Sequence, residues 1–90
     1  MSIKVHLYSS LRKYAGNTEI VEVEGTTVGE CLQDLIRQFP LISPILFDKA
    51  GKPLEKVFVS INLESAYREK VTTPVKENDH IYLILIVAGG

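Results

Sequence analysis

The last three residues, Ala88-Gly89-Gly90, are the part of this 90-residue chain best suited to chemistry. Glycine has no Cβ atom, so an extended Gly-Gly tip fits a channel that is too narrow for side chains. Three residues span about 10 Å, which is enough to bring the terminal carboxylate of Gly90 into the active site of another protein. A frayed chain end or a cloning remnant explains the same three residues equally well.

Conventional catalytic and metal-binding groups are sparse elsewhere in the sequence. His6 and His80 have no second ligand at metal-binding spacing, and we interpret them as ordinary surface histidines. Cys31 lies on the apolar stripe of a predicted helix, where a thiol is a small core residue with a raised pKa. Arg12 and Lys13 offer an anion contact, although adjacent basic residues are usually a solvated pair. We therefore expect no metal site, no bound cofactor and no independent catalytic site.

Four strands and one main helix are predicted to position the chain end. Alternating or continuous apolar residues predict strands over 3–7, 19–24, 57–61 and 81–87. Thr27 and Glu30 fit a capping box, the apolar stripe that follows runs to Phe39, and Pro40 ends the helix. Such a helix covers one face of a mixed sheet, which predicts an α+β fold. The very apolar last strand is predicted to be central, and parallel pairing with the first strand would give a β-grasp, or ubiquitin-like, arrangement.

Short turn signals connect these elements. Ser9 and Ser10 are predicted to cap one helical turn, which Gly16-Asn17 ends because both residues tolerate positive φ. A turn is predicted to begin at Asn62, and Asn78 is a candidate for the left-handed region.

The outward face of the last strand is the second candidate for function. The positions expected to face the helix are Ile81, Leu83, Leu85 and Val87. The opposite face, with one residue of the first strand, is expected to carry Tyr8, Tyr82, Ile84 and Ile86. Either residues 41–54 or 64–74 cover this face, or it is an exposed apolar patch that binds a partner.

Composition limits the remaining possibilities. Lys plus Arg is 10 and Asp plus Glu is 11, and this net charge of -1 argues against nucleic-acid binding. The longest apolar run, 81–88, has eight residues, whereas a membrane helix needs about twenty. No signal peptide is visible, and a single cysteine forms no internal disulfide. We expect one cytoplasmic domain over residues 1–87, followed by a flexible tail over 88–90.

Five segments, in order along nearly the whole chain, carry a family resemblance. They are 5–16, 25–40, 73–75, Asn78-Asp79 and 87–90. Together they resemble the MoaD/ThiS family of sulfur carriers, and the length is nearer the molybdopterin synthase small subunit than the thiamine-pathway carriers. The family often has glycine at the positions of Leu63 and Asn78, and prolines at 85 and 86; this chain has Leu85 and Ile86 there.

The resemblance implies a β-grasp fold and a reaction sequence at Gly90. An E1-like adenylating enzyme uses ATP to adenylate the Gly90 carboxylate, and sulfur from a persulfide donor then displaces AMP to leave a thiocarboxylate. In the molybdopterin branch, the large synthase subunit transfers that sulfur to a pterin precursor of the molybdenum or tungsten cofactor. The carrier supplies a delivered acyl group and binding energy, while its partners supply catalytic side chains.

Three alternatives to this function stay open. A ubiquitin-like modifier would be conjugated to lysines through Gly90. A carrier for another pathway, such as thiamine synthesis, would deliver sulfur to a different acceptor. A plain interaction module would use the apolar patch and not the tail.

Overall fold

The computed structural model describes residues 2–52, 57–63 and 70–85. The strands are β1 (Ser2–Leu7), β2 (Ile20–Glu24), β3 (Val57–Ile61) and β4 (His80–Leu85). The helices are α1 (Ser9–Arg12), α2 (Val28–Gln38) and α3 (Ser43–Leu46), with 3₁₀ turns at Lys13–Ala15 and Pro40–Ile42. The main helix and the first three predicted strands are therefore present. The fourth strand is present as far as Leu85, and its predicted residues 86 and 87 lie outside the described residues.

The four described strands form one mixed sheet in the order β2-β1-β4-β3. β1 pairs antiparallel with β2 and parallel with β4, with Val5 opposite Ile81 and Leu7 opposite Leu83. β3 pairs antiparallel with β4. The prediction of a central last strand, parallel to the first, is confirmed, and the topology is that of a β-grasp fold.

The core lies between the sheet and α2. Alternation along β1 and β4 buries one side chain in two, and the helix contributes its predicted stripe. The most completely buried of these residues are Ile3, Val5, Leu7, Ile81, Leu83, Val28, Cys31 and Leu35. Because a slip of one residue would turn all the strand members of this set toward solvent, burial fixes the register of the central strands.

One of the two hydrogen bonds of the predicted capping box at the start of α2 is present, and the other is made to a different residue. Thr27 Oγ1 accepts a hydrogen bond from the backbone N–H of Glu30, as predicted. The Glu30 carboxylate accepts from the backbone N–H and the hydroxyl of Thr26, both at 2.7 Å, and these bonds lower the pKa of Glu30.

The backbone N–H of Gly29 donates to the Val71 carbonyl at 2.8 Å, so segment 70–75 covers the start of α2. A Cβ at Gly29 would lie 3.0 Å from that oxygen, which leaves little room for another residue.

Side chains of α2 satisfy the outer edge of β2. Asp34 is buried, accepts a hydrogen bond from the backbone N–H of Glu24 at 2.9 Å, and pairs with Arg37. These bonds, Arg37 first, lower the pKa of Asp34. Gln38 donates to the Glu22 carbonyl at 2.9 Å. An edge strand whose polar groups are occupied in this way is protected from pairing with a second sheet.

The predicted serine cap of α1 is wrong. The helix begins at Ser9, and the capping position belongs to Tyr8, whose side chain makes no capping hydrogen bond. The backbone N–H of Tyr8 still donates to the Leu83 carbonyl, so the sheet pairing reaches this residue and the helix follows at once. Gly16 and Asn17 end the segment with φ of 62° and 61°, as predicted.

Two consecutive residues after β3 adopt the left-handed conformation, Asn62 at φ 54° and Leu63 at φ 57°. The Asn62 side chain is well placed there, since it accepts from the backbone N–H of His80 at 2.8 Å and donates to Asp79 at 3.1 Å. Leu63 is 57% exposed and has a branched side chain in a region that disfavours it.

We expect Leu63→Gly to stabilise the fold. Removing the left-handed strain gains about 1–2 kcal/mol, and the greater freedom of glycine in the unfolded chain offsets roughly half of it. The free energy of unfolding should therefore rise by about 0.5–1 kcal/mol, measured by urea denaturation.

Asn62→Gly is the matched control at the neighbouring left-handed position, where asparagine carries little strain; because it deletes two hydrogen bonds, it should lower stability. A Leu63→Gly protein no more stable than wild type would contradict the strain argument.

Candidate functional site

The face of the sheet that points away from α2 carries the predicted apolar residues. Tyr8 is 43% exposed, while Tyr82 and Ile84 are half-buried on β4. Phe58 of β3 lies opposite Ile84 in the register, which extends the patch by one strand. We name the described members, Tyr8, Phe58, Tyr82 and Ile84, the outer patch. Sequence reasoning missed Phe58, although the alternation of β3 places it on this face.

The predicted site residues at the chain end lie outside the described residues. These are Ile86, Ala88, Gly89 and Gly90, together with the predicted flexible tail over 88–90. Their roles stay predictions. The strand that precedes them, β4, runs parallel to β1 and is described as far as Leu85.

A cleft of about 190 Å³ lies at the end of β1, next to the outer patch. Its lining includes Tyr8, Tyr82 and Arg12. The Arg12 side chain donates to the Leu7 carbonyl at 2.8 Å and lies 3.7 Å from the Glu19 carboxylate. Arg12 therefore contacts two groups of the same chain, whereas the sequence predicted either a solvated basic pair or an anion contact.

Two histidines that the sequence separated by 74 residues are in contact on the same face. His6 Nε2 and His80 Nδ1 lie 2.7 Å apart in a hydrogen bond, and the Tyr82 ring stacks on His6 at 4.3 Å between centroids. Burial and the neighbouring His80 lower the pKa of His6. Both histidines lie on the outward face of the sheet, as interpreted, but the sequence analysis did not predict their contact. The signal that could have found the pair is the parallel pairing of β1 with β4, which places both residues on the outward side of neighbouring strands.

The thiol of Cys31 is a core group, as predicted. The residue is fully buried, and burial raises its pKa to about 11. A thiol that is protonated at neutral pH and inaccessible is not a nucleophile.

Within residues 2–52, 57–63 and 70–85, no cluster of three or more His, Cys, Asp or Glu side chains could hold a metal ion. The same ranges contain no helix that could cross a membrane. A larger cleft of about 400 Å³ beside α2 includes Glu30, whose carboxylate is already bonded to Thr26. The described residues of the outer patch lie on the sheet face that points away from α2.

Comparison with known proteins identifies the family. The family model described as the ThiS family matches residues 5–90. The chain belongs to the ThiS family. This match spans the fold and the Gly-Gly end, and it confirms the resemblance found in the sequence.

Two curated relatives illustrate the range of the ThiS family around this chain. Ubiquitin-related modifier 1 of Encephalitozoon cuniculi is 36% identical over 73 residues, covering 77% of this chain and 76% of the relative. Sulfur carrier protein CysO of Mycobacterium tuberculosis is 28% identical over 93 residues, covering 100% of both. The family is thus one of sulfur carriers and ubiquitin-like modifiers.

Solved structures with the same fold include carriers and modifiers. SAMP1 from Haloferax volcanii superimposes with a TM-score of 0.87 at 24% identity, covering 100% of both chains. The BexX/CysO complex of Amycolatopsis orientalis contains a chain with a TM-score of 0.82 at 27% identity, covering 98% of this chain and 99% of that one. The ubiquitin-like β-grasp fold is therefore established for this ThiS family member.

Proposed function

We propose that this protein is a sulfur carrier whose Gly90 carboxylate is adenylated and then converted to a thiocarboxylate. The observation that carries the proposal is the family match, which continues through Gly90 itself. The full-length similarity to a sulfur carrier protein supports it further. A chain end without side chains is suited to a narrow active site in the activating enzyme.

The proposed chemistry follows from the poor reactivity of a carboxylate. Adenylation with ATP forms a mixed anhydride, in which AMP is a good leaving group and pyrophosphate is released. The terminal sulfur of a donor persulfide attacks the acyl carbon, a C–S bond forms, and AMP leaves. A thiol then cleaves the S–S bond of this acyl disulfide, which leaves the thiocarboxylate on Gly90 and a disulfide on the donor.

The acceptor that we propose is a pterin precursor bound by a molybdopterin synthase large subunit. The length of the chain and the order of its motifs support this branch. Activation by an ATP-dependent enzyme and use of a persulfide also favour a cytoplasmic setting, where thiols stay reduced.

We further propose that the outer patch, continued by Ile86, binds the partner proteins. The patch is apolar, part of it is exposed, and two of its members, Tyr82 and Ile84, lie on β4, the strand that precedes the tail in the sequence. A partner that binds β4 on this face would hold the following residues close to its own surface. The patch therefore supplies binding energy, while the tail supplies the reacting group.

Loading of the tail is the direct test of sulfur carriage. Incubation with the adenylating enzyme encoded in the same genome, ATP and a persulfide donor should raise the protein mass by about 16 Da, since sulfur replaces one oxygen. Mass spectrometry of the C-terminal peptide should place the gain at Gly90.

The matched control lacks Gly89 and Gly90, and its mass should stay constant. An unchanged wild-type mass, in an assay where an established carrier is converted by its own enzyme, would contradict sulfur carriage. Full cellular function of the control would instead favour a plain interaction module. Transfer of the loaded sulfur to a pterin by the large synthase subunit, compared with transfer to a thiamine precursor, tests the acceptor.

Docking through the outer patch is tested by Ile84→Asp. A charge in an apolar contact costs about 1–3 kcal/mol, so affinity for the adenylating enzyme should fall by about 5- to 150-fold. Isothermal titration calorimetry measures the affinity, and circular dichroism checks that the variant is folded.

Leu41→Asp is the matched control, because Leu41 is 73% exposed and lies in the 3₁₀ turn after α2, outside the sheet. Unchanged affinity for a folded Ile84→Asp variant would contradict this docking surface. Ile81→Asp provides the comparison for unfolding, since Ile81 is fully buried.

A second candidate, protein modification, is favoured by the 36% identity to ubiquitin-related modifier 1. It requires an amide bond between the Gly90 carboxyl group and a lysine amine on another protein. An epitope-tagged chain in its native cell should then give a ladder of higher-mass species under denaturing, reducing electrophoresis, and the variant without Gly89-Gly90 should give none. A single band of free carrier from the wild-type cells would count against conjugation.

A further inference from the structure

The contact between His6 and His80 limits how many protons the two rings can hold. A hydrogen bond at 2.7 Å between two imidazole nitrogens needs one N–H donor and one lone-pair acceptor. A neutral pair satisfies this requirement in either tautomeric arrangement, and so does a pair with one extra proton. With two extra protons both nitrogens are donors, so the bond is lost and two positive charges face each other.

The surrounding charges do not remove this repulsion. On β1, Lys4 adds positive charge next to both rings, and just before β2 the Glu19 carboxylate favours the protonated form of His6. Glu22 of β2 lies opposite Lys4 in the register. Glu19 is also shared with Arg12 at 3.7 Å.

The remaining neighbours of the pair are on β3, on β4 and in the turn before it. Tyr82 stacks on His6, and the backbone N–H of His80 donates to Asn62. Asp79 precedes His80, but its carboxylate accepts from the backbone N–H of Lys76 at 2.8 Å and from Asn62, which lowers its pKa. No carboxylate of the described residues is hydrogen-bonded to either imidazole.

We propose that His6 and His80 share one proton between their facing nitrogens. The pair then acts as an acid-sensitive latch, a contact on the outer face of the sheet that opens at low pH. When both facing nitrogens carry a proton, the two rings separate, and this movement disturbs the Tyr82 ring stacked on His6. Because Tyr82 belongs to the outer patch, acid then weakens partner binding. This last step rests on the proposed docking function, whereas the sharing of the proton depends only on the histidine geometry.

The contact distance favours a shared proton over a shared metal ion. Zinc–nitrogen bonds are about 2.0–2.1 Å long, so two ligands at a tetrahedral angle lie about 3.3 Å apart. The observed 2.7 Å is shorter, and the two nitrogens point at each other and not at a common third position. The rings would have to separate before they could chelate.

The lowered pKa of His6 fixes the sign of the effect on stability. A histidine whose folded pKa lies below its ordinary value of 6.5 binds more protons in the unfolded chain. Its contribution to stability is therefore complete above pH 6.5 and is lost as the pH falls below that value. The acid-induced change is thus a loosening of the folded state around the pair.

An NMR titration of the isolated protein tests the shared proton. We expect the His6 imidazole signals of the wild type to titrate at lower pH than those of His6 in His80→Asn, because the neighbouring His80 contributes to lowering the pKa of His6. An equal His6 midpoint in the two proteins would overturn the latch. So would saturable binding of Zn²⁺ to both rings at micromolar concentration.

Binding to the adenylating enzyme at two pH values tests the docking consequence. Between about pH 7.5 and pH 5.5, wild-type affinity should fall by a larger factor than that of His80→Asn, since the variant cannot place two positive charges at this contact. The ratio cancels the pH dependence of the enzyme itself. Equal pH dependence in both proteins would overturn the latch alone. Absence of binding by wild type at the higher pH would contradict the proposed function and, with it, the docking step.

Discussion

The parallel pairing of the first and last strands is the constraint on which the rest of this molecule depends. Parallel neighbours need a crossover between them, and α2 lies within the chain that makes it. The register that places Leu7 opposite Leu83 also buries both residues, so it cannot slip without exposing the core. It therefore also fixes which side chains lie on the other face of the sheet, where Tyr82 stands beside His6.

The sequence predicted the elements well because their signals are local. The 3.6-residue period of α2 and the two-residue period of the strands follow from the burial of one face, and they are visible without a structure. The alternation of β4 also placed Tyr82 and Ile84 on the outward face. The family resemblance was confirmed as well, because its segments are spread over the whole chain and end at Gly90.

What the sequence did not predict depends on contacts between distant segments. The bond between His6 and His80 requires the strand register together with the rotamers of two rings, and neither is written in a local pattern. The same holds for Arg12, whose position is set by the Leu7 carbonyl and Glu19. One bond of the capping box differs for a related reason, because the Glu30 carboxylate accepts from two donors of Thr26.

The two faces of the sheet differ in burial and in the side chains that they carry. On the inner face, α2 fills the core, and its polar side chains bond to the edge of β2. The outer face combines half-exposed aromatic and aliphatic groups with one ionisable pair. In the function proposed above, the terminal carboxylate reacts only in the active site of a partner, so its reactions depend on how firmly that partner holds the body behind it. Under that proposal, a group that changes the charge of the outer face acts on the chemistry at Gly90 through binding, without contact with the reacting atoms.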